Sequence, residues 1–486
     1  MRKFIIYIFI FSCAVVGCQE KPHTIVEQKL PLKAIQEDFE SFRMILEAVH
    51  PGIYLYNSQK EMSRRFDSVY KTLTNDATVL DLMNRLEPIV NSLHCGHTSV
   101  FLPEGFSDSI HRLKAFFPIP LNVVENKLVV NSTEFEIPLG AEIVSINGEK
   151  ADVLMPDMWE YEPVDGYNTL YQQEEGAWDF ATNYFKFRGP QKAFKIGYKT
   201  EASDKEIHVN IAAVDYDKVM DTERFFALSE DVNYDMEMFD DEGYALLTIY
   251  TFGYDTWSTD RAFENFIKNS FRLIERSPNI HNLVIDLRNN TGGNFHNMFH
   301  LYGYLTKRTE WKEFKTAYTV FDRIPYTPFL SKGENDVAGI QASLDSTFSS
   351  KKQGRFVRQY TDNETLYPSQ YPFKGQVYVL TNSNVQSAAA YFAALLKDEG
   401  RAKIIGNETG GSGTNTNSFH LLTYELPHTK IRLTVPVVHA EFSLQGNNHT
   451  AGHGVQPDYP VSLSLADLKE NNDAQLGYVL DSLIKK

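Results

Sequence analysis

Three cysteines in 486 residues are too few for a disulfide framework, so the core of this chain must rest on packing. Basic residues are outnumbered, 47 Lys and Arg against 63 Asp and Glu. Setting aside residues 1–17, whose only charges are Arg2 and Lys3, leaves 45 basic against 63 acidic groups and a net charge of −18. A chain this acidic lacks the cationic surface that a nucleic acid requires, and no nucleic-acid partner is expected. The apolar run from Phe4 to Val16 falls short of the ~20 residues that span a bilayer. No internal repeat is evident, which argues against a solenoid. Aromatic residues are plentiful: 33 Phe, 26 Tyr and 4 Trp supply large cores and could line a cleft. With 42% apolar residues the composition is that of a large globular protein of two or three domains.

The first residues, MRKFIIYIFIFSCAVVGCQEKPH, combine a basic start, a short apolar stretch and a switch to polar residues after Gly17-Cys18. This pattern predicts an export signal over residues 1–17. Val15-Val16-Gly17-Cys18 resembles the lipobox of bacterial lipoproteins, in which the cysteine is lipidated and becomes the mature N-terminus. The resemblance implies a lipid anchor at Cys18, a tether over 18–32 and a place in the bacterial cell envelope, periplasmic or surface-facing. A soluble periplasmic protein cleaved elsewhere in the segment is the alternative. Once Cys13 is removed and Cys18 acylated, Cys95 remains as the one thiol.

Apolar residues then recur at helical spacing from Lys33 to Leu93, as in Phe39, Phe42, Ile45 and Val49, with Pro51-Gly52 as a break. A helical domain is predicted over 33–111. From Arg112 to Val214 the pattern changes to short β-like runs separated by turn residues, predicting a mostly β module over 112–214. Within it, IPLGAEIVSINGEKADVLM puts Gly140 in a turn, a strand at Ala141–Ile146, an Asn147-Gly148 hairpin and a helix start. That arrangement resembles a PDZ domain, although an unrelated β module would give the same string. Over 215–486 strands and helices alternate, predicting an α/β core. Within this core, Thr306 to Tyr371 has little periodicity and reads as a surface excursion.

Two constellations could carry chemistry. The first, Asp286-Leu287-Arg288-Asn289-Asn290-Thr291-Gly292-Gly293, follows a buried-looking strand, and its glycines would let backbone N–H groups approach a ligand. A plain glycine turn is the alternative. The second places Ser387 where a strand turns into an Ala-rich helix, at the positive end of the helix dipole. That place suits a nucleophile as well as an N-cap serine.

Together these motifs resemble the C-terminal processing and tricorn-type serine peptidases, the tail-specific proteases. The match runs from about Tyr244 to Val461 through DLRNNTGG, QSAAAYFAALLKDEGRAKIIG and Gly454-Val455-Gln456-Pro457-Asp458. The resemblance implies an α/β chain with a ClpP/crotonase-like peptidase core after a helical domain and a PDZ-like module. It aligns Ser387 with the nucleophile, and Gly292, Gly293 and the Ala388 backbone with the oxyanion hole. It implies no cofactor and no metal, and a peptide or unfolded protein as substrate.

One departure matters. The processing branch uses a lysine as base where this chain has Ser412, and GNETGGSGTNTNS contains no lysine. Tricorn-type relatives place a catalytic histidine before the PDZ-like module, which here aligns with His97 in His94-Cys95-Gly96-His97-Thr98. An imidazole with pKa ~6.5 suits a general base at neutral pH. The Glu of the tricorn site has no clear counterpart, Glu441 being one possibility. Cys95 could be a nucleophile two residues from His97, but a catalytic pair normally comes from separate elements, so it reads as a buried structural thiol; a zinc site on Cys95 and His97 would need further ligands in a recognisable spacing. His439, His449 and His453 read as surface and loop histidines. The expected function is a lipid-anchored serine endopeptidase acting through an acyl-enzyme. The alternative is an inactive peptide-binding lipoprotein that keeps the peptidase fold.

Overall fold

The computed structural model describes residues 28–485, apart from 107–109, 111, 226–232, 254–259, 361–363 and 447–448. The signal segment and Cys18 lie outside the described residues. Among those described, no helix is long and apolar enough to cross a membrane.

The helical domain consists of α1 (Leu32–Val49), α2 (Gln59–Tyr70) and α3 (Val79–Asn91). Capping boxes open the second and third: Ser58 with Glu61, and Thr78 with Asp81. Phe39, Phe42, Ile45 and Val49, the residues of the predicted stripe, are all buried. Buried Asp38 on α1 accepts the His428 and Thr429 N–H groups and the Thr429 hydroxyl, at 2.5–2.9 Å, which docks the domain on a turn of the core. The chain then enters strand β1 (Ser99–Phe101).

In the next module, β2 (Leu121–Val124), β3 (Lys127–Val130), β4 (Glu142–Ile146), β6 (Ala193–Thr200) and β7 (Ser203–Ala212) form an antiparallel sheet in that order. Short β5 (Glu149–Lys150) hangs on β4. Asn147 and Gly148 connect β4 to β5 with φ of 53° and 86°, the positive pair that a two-residue hairpin turn of this kind needs. The mostly β expectation requires correction. Helices α4 (Ala151–Trp159), α5 (Thr169–Trp178) and α6 (Phe180–Arg188) fill the span between β5 and β6. Their buried faces are narrow, Leu154, Met155 and Met158 and then Phe180, Tyr184 and Phe185, so each helical stripe is too short to stand out in the sequence. Phe180 and Phe185 close the core against Phe117 and Phe116, with ring centroids 4.8 Å apart in each pair.

After α7 (Tyr216–Asp221), the core begins with β8 (Tyr234–Phe239), β9 (Tyr244–Ile249), α8 (Arg261–Arg276), β10 (Asn282–Asp286) and α9 (Phe295–Gly303). It continues with β11 (Phe314–Thr319), α10 (Val337–Thr347), β12 (Ser350–Lys352), β13 (Arg355–Val357) and β14 (Gln376–Thr381). It ends with α11 (Ser387–Asp398), β15 (Ala402–Gly406), β16 (Asn415–Glu425), β17 (Arg432–Phe442), β18 (Tyr459–Pro460), α12 (Leu465–Glu470) and α13 (Ala474–Tyr478). One sheet has the order β18-β15-β14-β10-β9-β8, parallel except at β8. Its inner strands read as continuous apolar runs, such as Leu283-Val284-Ile285, because helices and loops cover both faces. The second sheet runs β1-β17-β11-β13-β12, with β16 also on β17.

Two features of this second sheet differ from expectation or explain it. The segment 306–371 is not a surface excursion. Its strand β11 pairs with β17, and Phe314 stacks on Tyr391 of α11. In FKTAYT the buried positions are interrupted by Lys and Thr, so the strand carries little hydrophobic signal. Strand β1 pairs antiparallel with β17, Ser99 opposite Thr434, and so carries the segment just after His97 onto the core.

Candidate active site

Helix α11 is the mechanical centre of the site. Residues Ala388 to Leu396 are fully buried, and Tyr391 stacks on Phe442 at 3.8 Å while its hydroxyl donates to Glu313 O and accepts from Ser443 N. Small residues are needed at its start because a backbone loop presses on it. A Cβ at Gly411 would lie 2.8 Å from both the Ala390 Cβ and the Ser387 nitrogen. Ser387 itself has φ of 47°, left-handed backbone that a non-glycine residue adopts at a cost of order 1–3 kcal/mol. The helix N-cap is Gln386, which makes no side-chain capping bond. Ser387 is therefore not a capping serine. It is a strained, buried residue, 8% exposed, at a strand-to-helix turn, held there by the Gln386 N–H on Asn290 O (3.0 Å) and the Gly411 N–H on Val385 O (3.0 Å).

The glycine loop lies directly against this turn. Gly292 has φ of 109°, and a Cβ there would sit 2.6 Å from the Ser387 Cβ and 3.0 Å from the Ala388 nitrogen. Gly293, φ 114°, passes so close to Gly253 that a Cβ would lie 2.1 Å from its carbonyl oxygen. The Gly292 N–H donates to Asn290 Oδ1 at 2.8 Å, which corrects its assignment as an oxyanion donor. Gly292 leaves clearance for the serine, and the Ala388 nitrogen lies 3.0 Å from where a Cβ on Gly292 would sit.

The segment that carries His97 meets the loops around this turn through a buried carboxylate that sequence reading missed. Asp165, in the loop before α5, accepts the Gly96 N–H at 2.8 Å and is also bound by the Ser412 N–H. Ser412 is the neighbour of Gly411, so Asp165 ties the His97 segment to the loop that presses on Ser387. A Cβ at Gly96 would lie 3.6 Å from the Gln386 side chain. Burial raises the Asp165 carboxyl, while His97 and the two N–H groups pull it back. The His97 Nδ1 is buried without a hydrogen-bond partner. Burial pushes nearby His50 down to about 3, with His439 and His97 adding to the effect, and pushes His439 down to about 4, so both rings are neutral. His439 is thus no surface histidine: it is buried on β17 with its ring 2.8 Å from Asn417 Oδ1. Half-exposed Glu441 pairs with Lys315 at 3.3 Å, and Asp165 is the carboxylate that faces His97. His453 contacts Glu408, and His449 faces Asp398.

The remaining motif residues act as structural ties. Arg401 donates to the carbonyls of Leu305, Phe373 and Gly375, Asp398 accepts from Arg308, and Asp458 accepts the Ile404 N–H. Cys95, Asp165 and His97 form a group able to take a metal ion, with ligand atoms within 4.8 Å of one another. A cavity of about 420 Å³ opens beside Thr291 and Gln386, walled by Asn122 of the preceding module, Tyr171 and Trp178 of α5, and Asn289.

Helix α5 grips the loop before Ser387 through acids. Glu174 accepts from the Ser383 hydroxyl and Glu175 from Asn384 Nδ2. Burial pushes each carboxyl up to about 7, against these hydrogen bonds. The folded protein therefore holds more protons than the unfolded chain between pH ~4.5 and ~7, so stability falls as pH rises through that interval and levels above it. Thermal unfolding followed from pH 5 to pH 8 should show Tm falling by several degrees, and a Glu174→Gln/Glu175→Gln double variant should flatten the decline. An equally steep decline in the variant would remove these two acids as its cause.

Residues 243–461 match the model of peptidase family S41. The fold is similar to that of mature CPAF, at 16% identity over 93% of this chain and 97% of that one, with a TM-score of 0.63. It is equally similar to mature CPAF complexed with lactacystin, at 15% identity over 93% and 98% with a TM-score of 0.64. The matched region holds the glycine loop, the strained serine and the closing Gly454–Asp458 motif, and it is over this region that the chain, a serine-type peptidase, is similar to family S41.

Proposed function

We propose that the chain is a serine endopeptidase of the bacterial cell envelope, with Ser387 as nucleophile and His97 as general base. The observation that carries this reading is the left-handed Ser387 at the start of a buried helix, with the Gly292 loop against its Cβ. In the reaction His97 takes the Ser387 proton as Oγ bonds to the scissile carbonyl carbon. The resulting oxyanion lies toward the Ala388 and Gly293 N–H groups. Collapse breaks the C–N bond, the leaving amine takes the proton from His97, and water then releases the acyl group by the same route. Asp165 is a positioning residue, since it anchors Gly96 and faces the imidazole. The cavity beside Gln386 and the PDZ-like module bordering it suit an extended peptide or unfolded protein segment.

A fluorophosphonate probe tests the assignment. It should label the protein at Ser387, and labelling should be lost in Ser387→Ala. Protein that folds, labels nowhere and cleaves no peptide in a broad library would instead be an inactive peptide-binding relative.

Cys18 is proposed as the lipidated N-terminus, on the strength of the Val15-Val16-Gly17-Cys18 string. Stable attachment takes more than one acyl chain. Cys18→Ser should move the protein from the membrane to the soluble fraction and abolish labelling by fatty acid. A variant that stays membrane-bound, with a wild type that takes up no fatty acid, would end the idea.

A further inference from the structure

Cys95 has no part in the proposed reaction, yet its thiol lies inside the site. Its sulfur, an Asp165 carboxylate oxygen and a His97 ring nitrogen all lie within 4.8 Å of one another. Cys95 is fully buried and Asp165 nearly so. The His97 Nδ1 is a second, independent sign of a ligand: a buried ring nitrogen with no hydrogen-bond partner. The sulfur accepts a long contact from the Thr98 hydroxyl (3.4 Å) and further bonds from the His97 N–H and the Asn417 side chain, while the Gly96 and Ser412 N–H groups hold Asp165; all of these are donors, so they orient the sulfur and the carboxylate without occupying every lone pair.

Sulfur, imidazole nitrogen and carboxylate oxygen are the donors that Zn²⁺ takes, at about 2.3, 2.0 and 2.1 Å. Ligand atoms on a tetrahedral ion with such bonds lie roughly 3.3–3.7 Å apart, so these three need to close by at most about 1.5 Å, within reach of χ rotations. Three protein ligands would leave a fourth position for water. No sequence spacing announces the set, because Asp165 comes from a loop far along the chain from Cys95 and His97.

We propose that Cys95, His97 and Asp165 form an inhibitory zinc site that switches the peptidase off by capturing its general base. This rests on the reading of His97 as that base. On binding, the zinc–sulfur bond forms, the thiol proton leaves to solvent, and a ring nitrogen of His97 donates its lone pair to the metal. A neutral imidazole has one such lone pair. If the metal takes Nδ1, the ring proton resides on Nε2; if it takes Nε2, that nitrogen is occupied. In either case His97 can no longer accept the Ser387 proton. No oxidant or reductant is needed, and a chelator reverses the step.

Two measurements on the mature full chain separate this site from the peptidase assignment. Co²⁺ titrated into metal-free protein should produce a thiolate-to-metal charge-transfer band in the near-ultraviolet with one equivalent bound. The band should persist in Ser387→Ala and vanish in Cys95→Ser, with Cys95→Ala as a second variant if the first fails to fold. This readout requires no enzymatic activity. Micromolar Zn²⁺ should lower wild-type peptide hydrolysis at least tenfold, reversibly with EDTA. Cys95→Ser, measured against its own metal-free activity, should need at least tenfold more zinc. Absence of the cobalt band, or equal zinc sensitivity in wild type and Cys95→Ser, overturns the site. A band without zinc inhibition overturns its inhibitory role.

Discussion

Ser387→Ala and His97→Ala should each lower peptide hydrolysis by about three orders of magnitude or more, and the double variant should be scarcely worse than either alone. Residues that act as one unit in a proton transfer and bond formation lose nearly everything with the first removal, so their effects do not add. The structure makes the serine half of this a clean experiment. The Ser387 hydroxyl caps no helix, and an alanine at φ 47° bears the same backbone strain, so stability should change little. Removing the His97 ring leaves the Gly96 N–H and its bond to Asp165 in place. Comparison of kcat and KM at one pH is sufficient: kcat should collapse while KM stays within a few-fold. Near wild-type hydrolysis by His97→Ala would remove it as the base.

Gly292→Ala should be almost as damaging to activity, by about 10²–10³, for a different reason. The added Cβ would sit 2.6 Å from the Ser387 Cβ and 3.0 Å from the Ala388 nitrogen, so either the loop or the serine must move. Either shift takes Oγ away from the donors meant for the oxyanion. The backbone cost at φ 109° is about 1–2 kcal/mol, which should lower Tm by a few degrees without unfolding the protein. Gly293→Ala is the informative contrast. Its Cβ would lie 2.1 Å from the Gly253 carbonyl oxygen, so the loss there should appear in Tm as well as in rate. Gly292→Ala with unchanged kcat would mean that the loop yields without disturbing Ser387.

The elements around Ser387 were legible because local pattern and tertiary role coincide there. An Ala-rich string opening on serine is both a helix start and the packing needed under Gly411, and Asn147-Gly148 reads the same as a dipeptide and as a hairpin turn. The helices at 151–188 and strand β11 were not legible, since their buried faces are short or interrupted by Lys and Thr. Asp165 escaped for a deeper reason. A single carboxylate in a loop has no period and no motif, and its meaning arises only when Gly96 and Ser412 converge on it. His439 was misread because a histidine in a strand gives no sign of which face it occupies. The Gly292 N–H was misassigned because only the folded loop brings Asn290 Oδ1 to it.

The docking of the helical domain on β17 also fixes when the site can exist. The base proposed here, His97, precedes β1 near the start of the chain, while the strand that receives β1 and the Thr429 turn that receives Asp38 are made near the end. Between those two moments the nucleophile and its base are parts of the same polypeptide but not of the same structure. On the proposed assignment, a growing chain should be no peptidase toward its neighbours or itself until the β16–β17 hairpin has formed. Completion of the fold would then be the act of arming it.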